Sequence, residues 1–141
     1  MCIRDRIELH PWSQKPELVG YLRQHDILPI AYSSLLPLST WREKPGQESA
    51  KTEAMRADGE RADSPFKAMA EKYGVSEAQI LLRWAVQLGY PVLPKSTNPE
   101  RIRSNIDLFG FEIDEDDMAA ISTMDRGEGK AWASGDPSLS G

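Results

Sequence analysis

A single cysteine, Cys2, in 141 residues rules out an internal disulfide and a multi-cysteine zinc site. A basic surplus is lacking too. Acids outnumber Lys and Arg by 22 to 17, for a net charge of −5. That balance argues against a general nucleic-acid binder, because neutralising phosphates needs clustered Lys and Arg. No apolar run approaches the roughly 20 residues that cross a bilayer, and no charged-apolar-small leader is evident. The expectation is a cytoplasmic protein with no metal, membrane or nucleic-acid partner. The chain is also short: a closed (β/α)8 barrel takes about 250 residues. What is present, 40% apolar and 28% charged residues, is the composition of an ordinary globular protein.

Apolar residues alternate between short runs and helical periods, the pattern of alternating strands and helices. Ile7-Glu8-Leu9-His10 reads as a strand stopped by Pro11. Pro16 opens a helix at its first turn, where a missing N–H costs little, with Leu18, Val19 and Leu22 as its buried stripe. A strand over 27–32 follows, although Pro29 argues against full pairing on both sides. Residues 36–63 are polar and broken by Pro37, Pro45, Gly46 and Gly59, which predicts a long loop, either a lid or without fixed structure. Ser64-Pro65 starts a helix with Phe66, Met69 and Tyr73 on one face, and Gly74 stops it. Ser76-Glu77-Ala78-Gln79 is a capping box, flanked by Val75 and Ile80 at the staple positions. Its helix runs to Leu88 and ends at Gly89. Residues 90–94 read as a third strand, edged by prolines. Asn98-Pro99 opens another helix, with Ile102, Ile106 and Phe109 expected in the core and Gly110 closing it. Residues 114–124 form the last helix, with acids in its first turn, where the dipole favours them. The Gly- and Ser-rich tail spans 125–141.

Strand-helix alternation implies parallel strands with right-handed crossovers. Three such units make an incomplete sheet. The most informative segment is Leu93-Pro94-Lys95-Ser96-Thr97-Asn98-Pro99-Glu100-Arg101. Lys95 and Ser96 leave a strand just before a helix N-terminus, where free N–H groups and the dipole favour an anion. Arg101 and Asn105 project from one side of that helix. A lysine, a hydroxyl, a forked guanidinium and an amide suit a phosphate monoester. The spacing equally describes a capped surface helix with solvated charges.

Val92 to Phe109, V-L-P-K-S-T-N-P-E-R-I-R-S-N-I-D-L-F, resembles the C-terminal signature of the aldo-keto reductases. Ile7-Glu8-Leu9-His10-Pro11-Trp12 resembles that family's sixth barrel strand, and Ile30-Ala31-Tyr32-Ser33 its seventh. Ala70-Glu71-Lys72-Tyr73-Gly74 through Gln79-Ile80-Leu81-Leu82-Arg83-Trp84 resembles the helical region before strand eight. The resemblance implies an α/β fold of the (β/α)8 TIM-barrel type. This chain would supply about the last three strand-helix units, a C-terminal helix and a tail: an incomplete barrel over 7–124, with 125–141 as terminal loop. Residues 1–6 fit neither the family pattern nor a strand start and are expected to be a foreign or mis-translated leader.

The same resemblance implies NADPH as cofactor. Lys95, Ser96, Arg101 and Asn105 match the positions that bind the adenosine 2′-phosphate. Tyr32 matches the tyrosine that stacks on nicotinamide, a contact suited to a flat ring. Ser33 and Leu35 match residues near the pyrophosphate, although the usual Ser-Pro-Leu-Gly is here Ser33-Ser34-Leu35-Leu36. A barrel that binds phosphate with its last loops needs no Gly-x-Gly-x-x-Gly, and none occurs. Trp12, Trp41 and Trp132 fall in loops where aromatics line the family's apolar substrate pocket. His10 matches a structural histidine rather than the partner of the proton donor.

The implied reaction reduces an aldehyde or ketone by hydride transfer from NADPH, with a tyrosine protonating the oxygen. That tyrosine and its lysine, aspartate and histidine partners lie in the family's first barrel half, so no catalytic residue is assigned here. Arg6 also stands where the family has a nicotinamide-holding Gln. The leading expectation is the cofactor-binding part of a reductase whose full-length form is monomeric. The alternative is a non-catalytic NADPH-binding or regulatory module, or an inactive truncation product.

Overall fold

The computed structural model describes residues 3–38 and 65–127. Two parallel strands, β1 (Ile3–Glu8) and β2 (Ile27–Tyr32), are joined by helix α1 (Pro16–Gln24). Ile3 pairs with Ile27 and Glu8 with Tyr32, so both strands end at the same level. β1 starts at Ile3, not at Ile7 as expected. Arg4, Asp5 and Arg6 are exposed, yet their backbones pair with Leu28, Pro29 and Ile30. Main-chain pairing does not require apolar side chains, so the hydropathy pattern concealed this half of the strand. Residues 3–6 therefore pair in the sheet, which corrects the expectation that no strand starts within 1–6.

The expected third strand over 90–94 is reduced to one parallel bridge, Ala31 with Val92. The Ala31 N–H donates to the Pro91 carbonyl at 2.8 Å. Alternate residues of a strand face alternate neighbours, so Pro29 faces the same side as Ala31 and has no proton to give. Pro91 and Pro94 lack donors as well. The prolines limit this edge to a single bridge.

Helices α2 (Pro65–Tyr73), α3 (Glu77–Gln87), α4 (Pro99–Ile106) and α5 (Glu115–Ser122) complete the described chain. Gly74 and Gly89 follow α2 and α3 at φ of 67° and 81°, a left-handed region in which a Cβ is costly. The capping box is formed: the Ser76 side chain accepts from the Gln79 N–H, and the Gln79 side chain accepts from the Ser76 N–H. Behind it, α3 is buried over most of its girth through Ile80, Leu81, Leu82, Trp84 and Ala85. Leu9 and Ala31 from the strands, Phe66 from α2, and Ile113 and Ile121 near α5 share that core. No helix among the described residues is long and apolar enough to cross a membrane.

Helix α4 departs from expectation. Ile102, Ile106 and Phe109 are 44%, 70% and 77% exposed, whereas Asn105 and Leu108 are buried. The helix ends at Ile106, ahead of Gly110. The stripe that predicted a core face stays largely exposed, and Asn105 is the residue that the helix buries.

Lys72 ends α2 beside the acidic first turn of α5. Its ammonium donates to Asp114 at 2.6 Å and Asp117 at 2.8 Å, and the Tyr73 hydroxyl donates to Asp117 at 2.6 Å. The Lys72 hydrogen bond, aided by the Asp117 N–H, pulls the Asp114 carboxyl down from 3.8 to about 2. The same pairing raises Lys72. A carboxylate depressed in the folded state stabilises the fold above its ordinary pKa and loses that contribution as pH falls. The difference in unfolding midpoint between the native chain and Lys72→Met should therefore be largest at neutral pH and shrink from about pH 4 towards pH 2. A pH-independent difference in urea titrations would contradict this origin.

Candidate cofactor site

Parallel pairing places the exits of β1, β2 and the Val92 segment at one end of the sheet. Glu8 lies level with Tyr32, and Val92 with Ala31. Beyond these levels the chain continues into Leu9 to Trp12, Ser33 to Leu35, and Lys95 to Ser96. The fold thus gathers the residues expected to bind the cofactor at neighbouring strand exits, the usual place for ligands in parallel α/β sheets.

Ser33 leaves β2 at φ of 55°, a left-handed conformation that costs a non-glycine residue roughly 1–2 kcal/mol. Its carbonyl accepts from the Leu36 N–H at 2.9 Å, turning the chain into a short 3-10 segment, Leu36–Leu38. Tyr32, Ser33 and Leu35 are half-buried. Ser34 is buried, and its hydroxyl has no hydrogen-bond partner among the described residues. Strain and a buried unpaired hydroxyl in one turn are features that accumulate at ligand clamps.

On the adjoining exit, Lys95 and Arg101 are exposed, Ser96 is half-buried and Asn105 is buried. The Asn98 carboxamide oxygen accepts from the N–H groups of Glu100 at 2.8 Å and Arg101 at 3.4 Å. The Ser96 hydroxyl oxygen accepts from the Asn98 N–H at 3.1 Å. These bonds correct the expectation of free helix amides for an anion: the cap already uses them, and Pro99 has none. The cationic side chains remain. Among the described residues, neither Lys95 nor Arg101 is engaged by an acid, so two uncompensated cations flank a hydroxyl. That donor set fits a phosphate monoester with charge-assisted bonds.

Trp12 is only 7% exposed. Its ring meets His10 edge-on at 6.5 Å, Phe66 at 6.4 Å and the Arg126 guanidinium at 4.1 Å. It is a packed ring rather than an open pocket wall. Trp41 and Trp132 lie outside the described residues, as does most of the expected 36–63 loop. His10 is buried and pairs with Glu8 at 3.1 Å, with the other ring nitrogen and the other carboxylate oxygen unpartnered among the described residues. Sequence reasoning missed both this pair and the contacts of Arg126. The first would have shown as two polar residues on one face of a strand; the second has no local signal.

These features can be set beside known proteins. The family model for the aldo/keto reductases matches residues 5–126. The chain belongs to the aldo/keto reductase family, whose fold is of the α/β TIM-barrel type. A probable NAD(P)H-dependent D-xylose reductase from Aspergillus flavus is 38% identical over 122 residues, which are 86% of this chain and 36% of that protein. The aldo-keto reductase family 1 member D1 of Oryctolagus cuniculus is 34% identical over 86% of this chain and 35% of its own length. Among solved structures, a Bombyx mori aldo-keto reductase in complex with NADP matches at a TM-score of 0.70 and 30% identity, over 87% of this chain and 37% of that one. An aldo/keto reductase from Brucella melitensis matches at 0.67 and 35%, over 86% and 39%. The chain therefore spans little more than a third of the length of these relatives.

If Lys95 and Arg101 bind the 2′-phosphate, the double change Lys95→Ala plus Arg101→Ala in a complete barrel should weaken NADPH by roughly 10- to 100-fold. NADH should change by less than about threefold. Equal losses for both dinucleotides, measured by fluorescence titration, would remove these residues from the phosphate site.

Proposed function

We propose that this chain is the cofactor-binding, C-terminal part of an NADPH-dependent aldo-keto reductase that reduces an aldehyde or ketone to an alcohol in the cytoplasm. One observation carries the reading. The Ala31–Val92 bridge sets the Tyr32–Ser33 exit beside the Lys95–Ser96 exit, so one extended dinucleotide can meet both. Tyr32 offers a flat face for nicotinamide at one exit. Ser33 and Leu35 turn the backbone towards the pyrophosphate. Lys95, Ser96 and Arg101 provide charge and a hydroxyl for the 2′-phosphate, and Asn105 completes the inner side of α4. Bound NADPH would supply the hydride for carbonyl reduction.

The proton must come from an acid elsewhere, because none of these side chains is assigned that role. The chain contributes binding and orientation, and its apolar α4 face and Leu93, 52% exposed, fit a barrel segment that packs on further strands and helices. Carbonyl substrates would meet a pocket drawn from loops at this end, where Trp41 and Trp132 fall by sequence position, with Trp12 packed beneath it. A second reading, a non-catalytic NADPH-binding module or inactive truncation product, is favoured by Arg6 at the position of the family's nicotinamide-holding Gln. On either reading, the purified 141-residue chain should oxidise no NADPH in the presence of aldehydes and should bind the cofactor weakly. Aldehyde-dependent loss of absorbance at the reduced nicotinamide band, above a no-enzyme control, would contradict this.

A further inference from the structure

The loop leaving β1 is fastened to the end of α5 across more than a hundred residues of sequence. The Gln14 N–H donates to Asp125 Oδ1 at 3.2 Å, and the Gln14 side-chain amide donates to the Pro11 and Ile121 carbonyls, both at 2.8 Å. The Arg126 N–H donates to the Trp12 carbonyl at 3.0 Å, while its guanidinium lies 4.1 Å from the centre of the Trp12 ring. Asp125 Oδ1 also accepts from the Gly127 N–H at 3.2 Å, which fixes the carboxylate that holds Gln14. Within the loop, His10 and Ser13 exchange backbone hydrogen bonds of 3.2 and 2.8 Å. This makes the segment from Leu9 to Gln14 a stiff unit. Its first residue reaches the candidate cofactor site: the Leu9 N–H donates to the Tyr32 carbonyl at 3.4 Å.

We propose that Asp125 and Arg126 are positioning residues that hold the β1 exit in register and, through the Leu9–Tyr32 hydrogen bond, set the strand end on which nicotinamide stacks. The cofactor part of this proposal rests on the reading above; the mechanical part does not. The Leu9–Tyr32 bond, at 3.4 Å, lies just past the Glu8–Tyr32 pair that ends the ladder, where the loop after Leu9 bears on it most directly. Two devices hold the β1 side: an acceptor carboxylate and a cation on an aromatic face. Neither residue touches the expected cofactor contacts. Arg126 acts on Trp12, Asp125 on Gln14, and both through the loop backbone on Tyr32.

The test uses the full 141-residue chain with Arg126→Ala, Asp125→Ala and Asp125→Asn. Amide hydrogen exchange is followed at Leu9 and Gln14, with Leu81 and Trp84 as core references, and NADPH affinity by quenching of tryptophan emission. Both alanine variants should speed exchange at Leu9 and Gln14 by about tenfold relative to the core amides and weaken NADPH by roughly fivefold. Asp125→Asn keeps the acceptor oxygen and should restore both values. Exchange that is unchanged at Leu9, or that rises equally at Leu81 and Trp84, overturns the clamp. Raised Leu9 exchange with unaltered NADPH affinity overturns its positioning role. No NADPH binding by the unsubstituted chain strikes at the cofactor reading instead, and the exchange data still decide the clamp.

Discussion

Backbone pairing between parallel strands fixes where the chemistry of this protein can be. Once Glu8 lies opposite Tyr32, and Val92 opposite Ala31, three chain segments must leave the sheet at one end. Their side chains then meet whatever binds there. The segments after Tyr32 and after Val92, distant in sequence, leave the sheet side by side through main-chain bonds. The pairing on one side of β2 is continuous and on the other a single bridge, because the prolines at 29, 91 and 94 remove donors.

Two kinds of force hold this end of the fold. On the inside, Leu9, Ala31 and α3 bury apolar surface, the dominant favourable contribution to folding. On the outside, polar contacts work over long sequence distances: Lys72 with Asp114 and Asp117, and Gln14 with Asp125 and Ile121. The exposed ion pairs add little energy individually, but they fix the direction in which α5 and the residues after it run. The exposed stripe on α4 is a third element, an apolar surface of the sort that proteins usually cover.

Much of this was legible from residues. The helices showed in their caps, because Ser76, Asn98 and Asp114 accept from the N–H groups of the turn they begin, and the glycines at 74 and 89 stop helices by conformation alone. The family signature singles out Lys95, Ser96, Arg101 and Asn105 by their place in the sequence. Less visible was whatever depended on partners far away in sequence. Charged Arg4 to Arg6 form strand because β2 is beside them, and no hydropathy pattern records that. Residues 90–94 look like a strand but lack donors to be one. Ile102, Ile106 and Phe109 have core-like periodicity yet face outward, since periodicity reports a face and not what it meets. The expectation of free helix amides failed, because Asn98 cannot both cap the helix and leave its N–H groups free.

The central claim is that Lys95, Ser96 and Arg101 form a cradle selective for a phosphate on the adenosine 2′ oxygen. Its most direct test is an NMR titration of the full chain with adenosine 2′,5′-bisphosphate and, separately, adenosine 5′-phosphate. The account predicts roughly tenfold tighter binding of the bisphosphate, with the largest shifts at Lys95, Ser96 and Arg101. Equal affinities, or shifts confined to other parts of the chain, would contradict it.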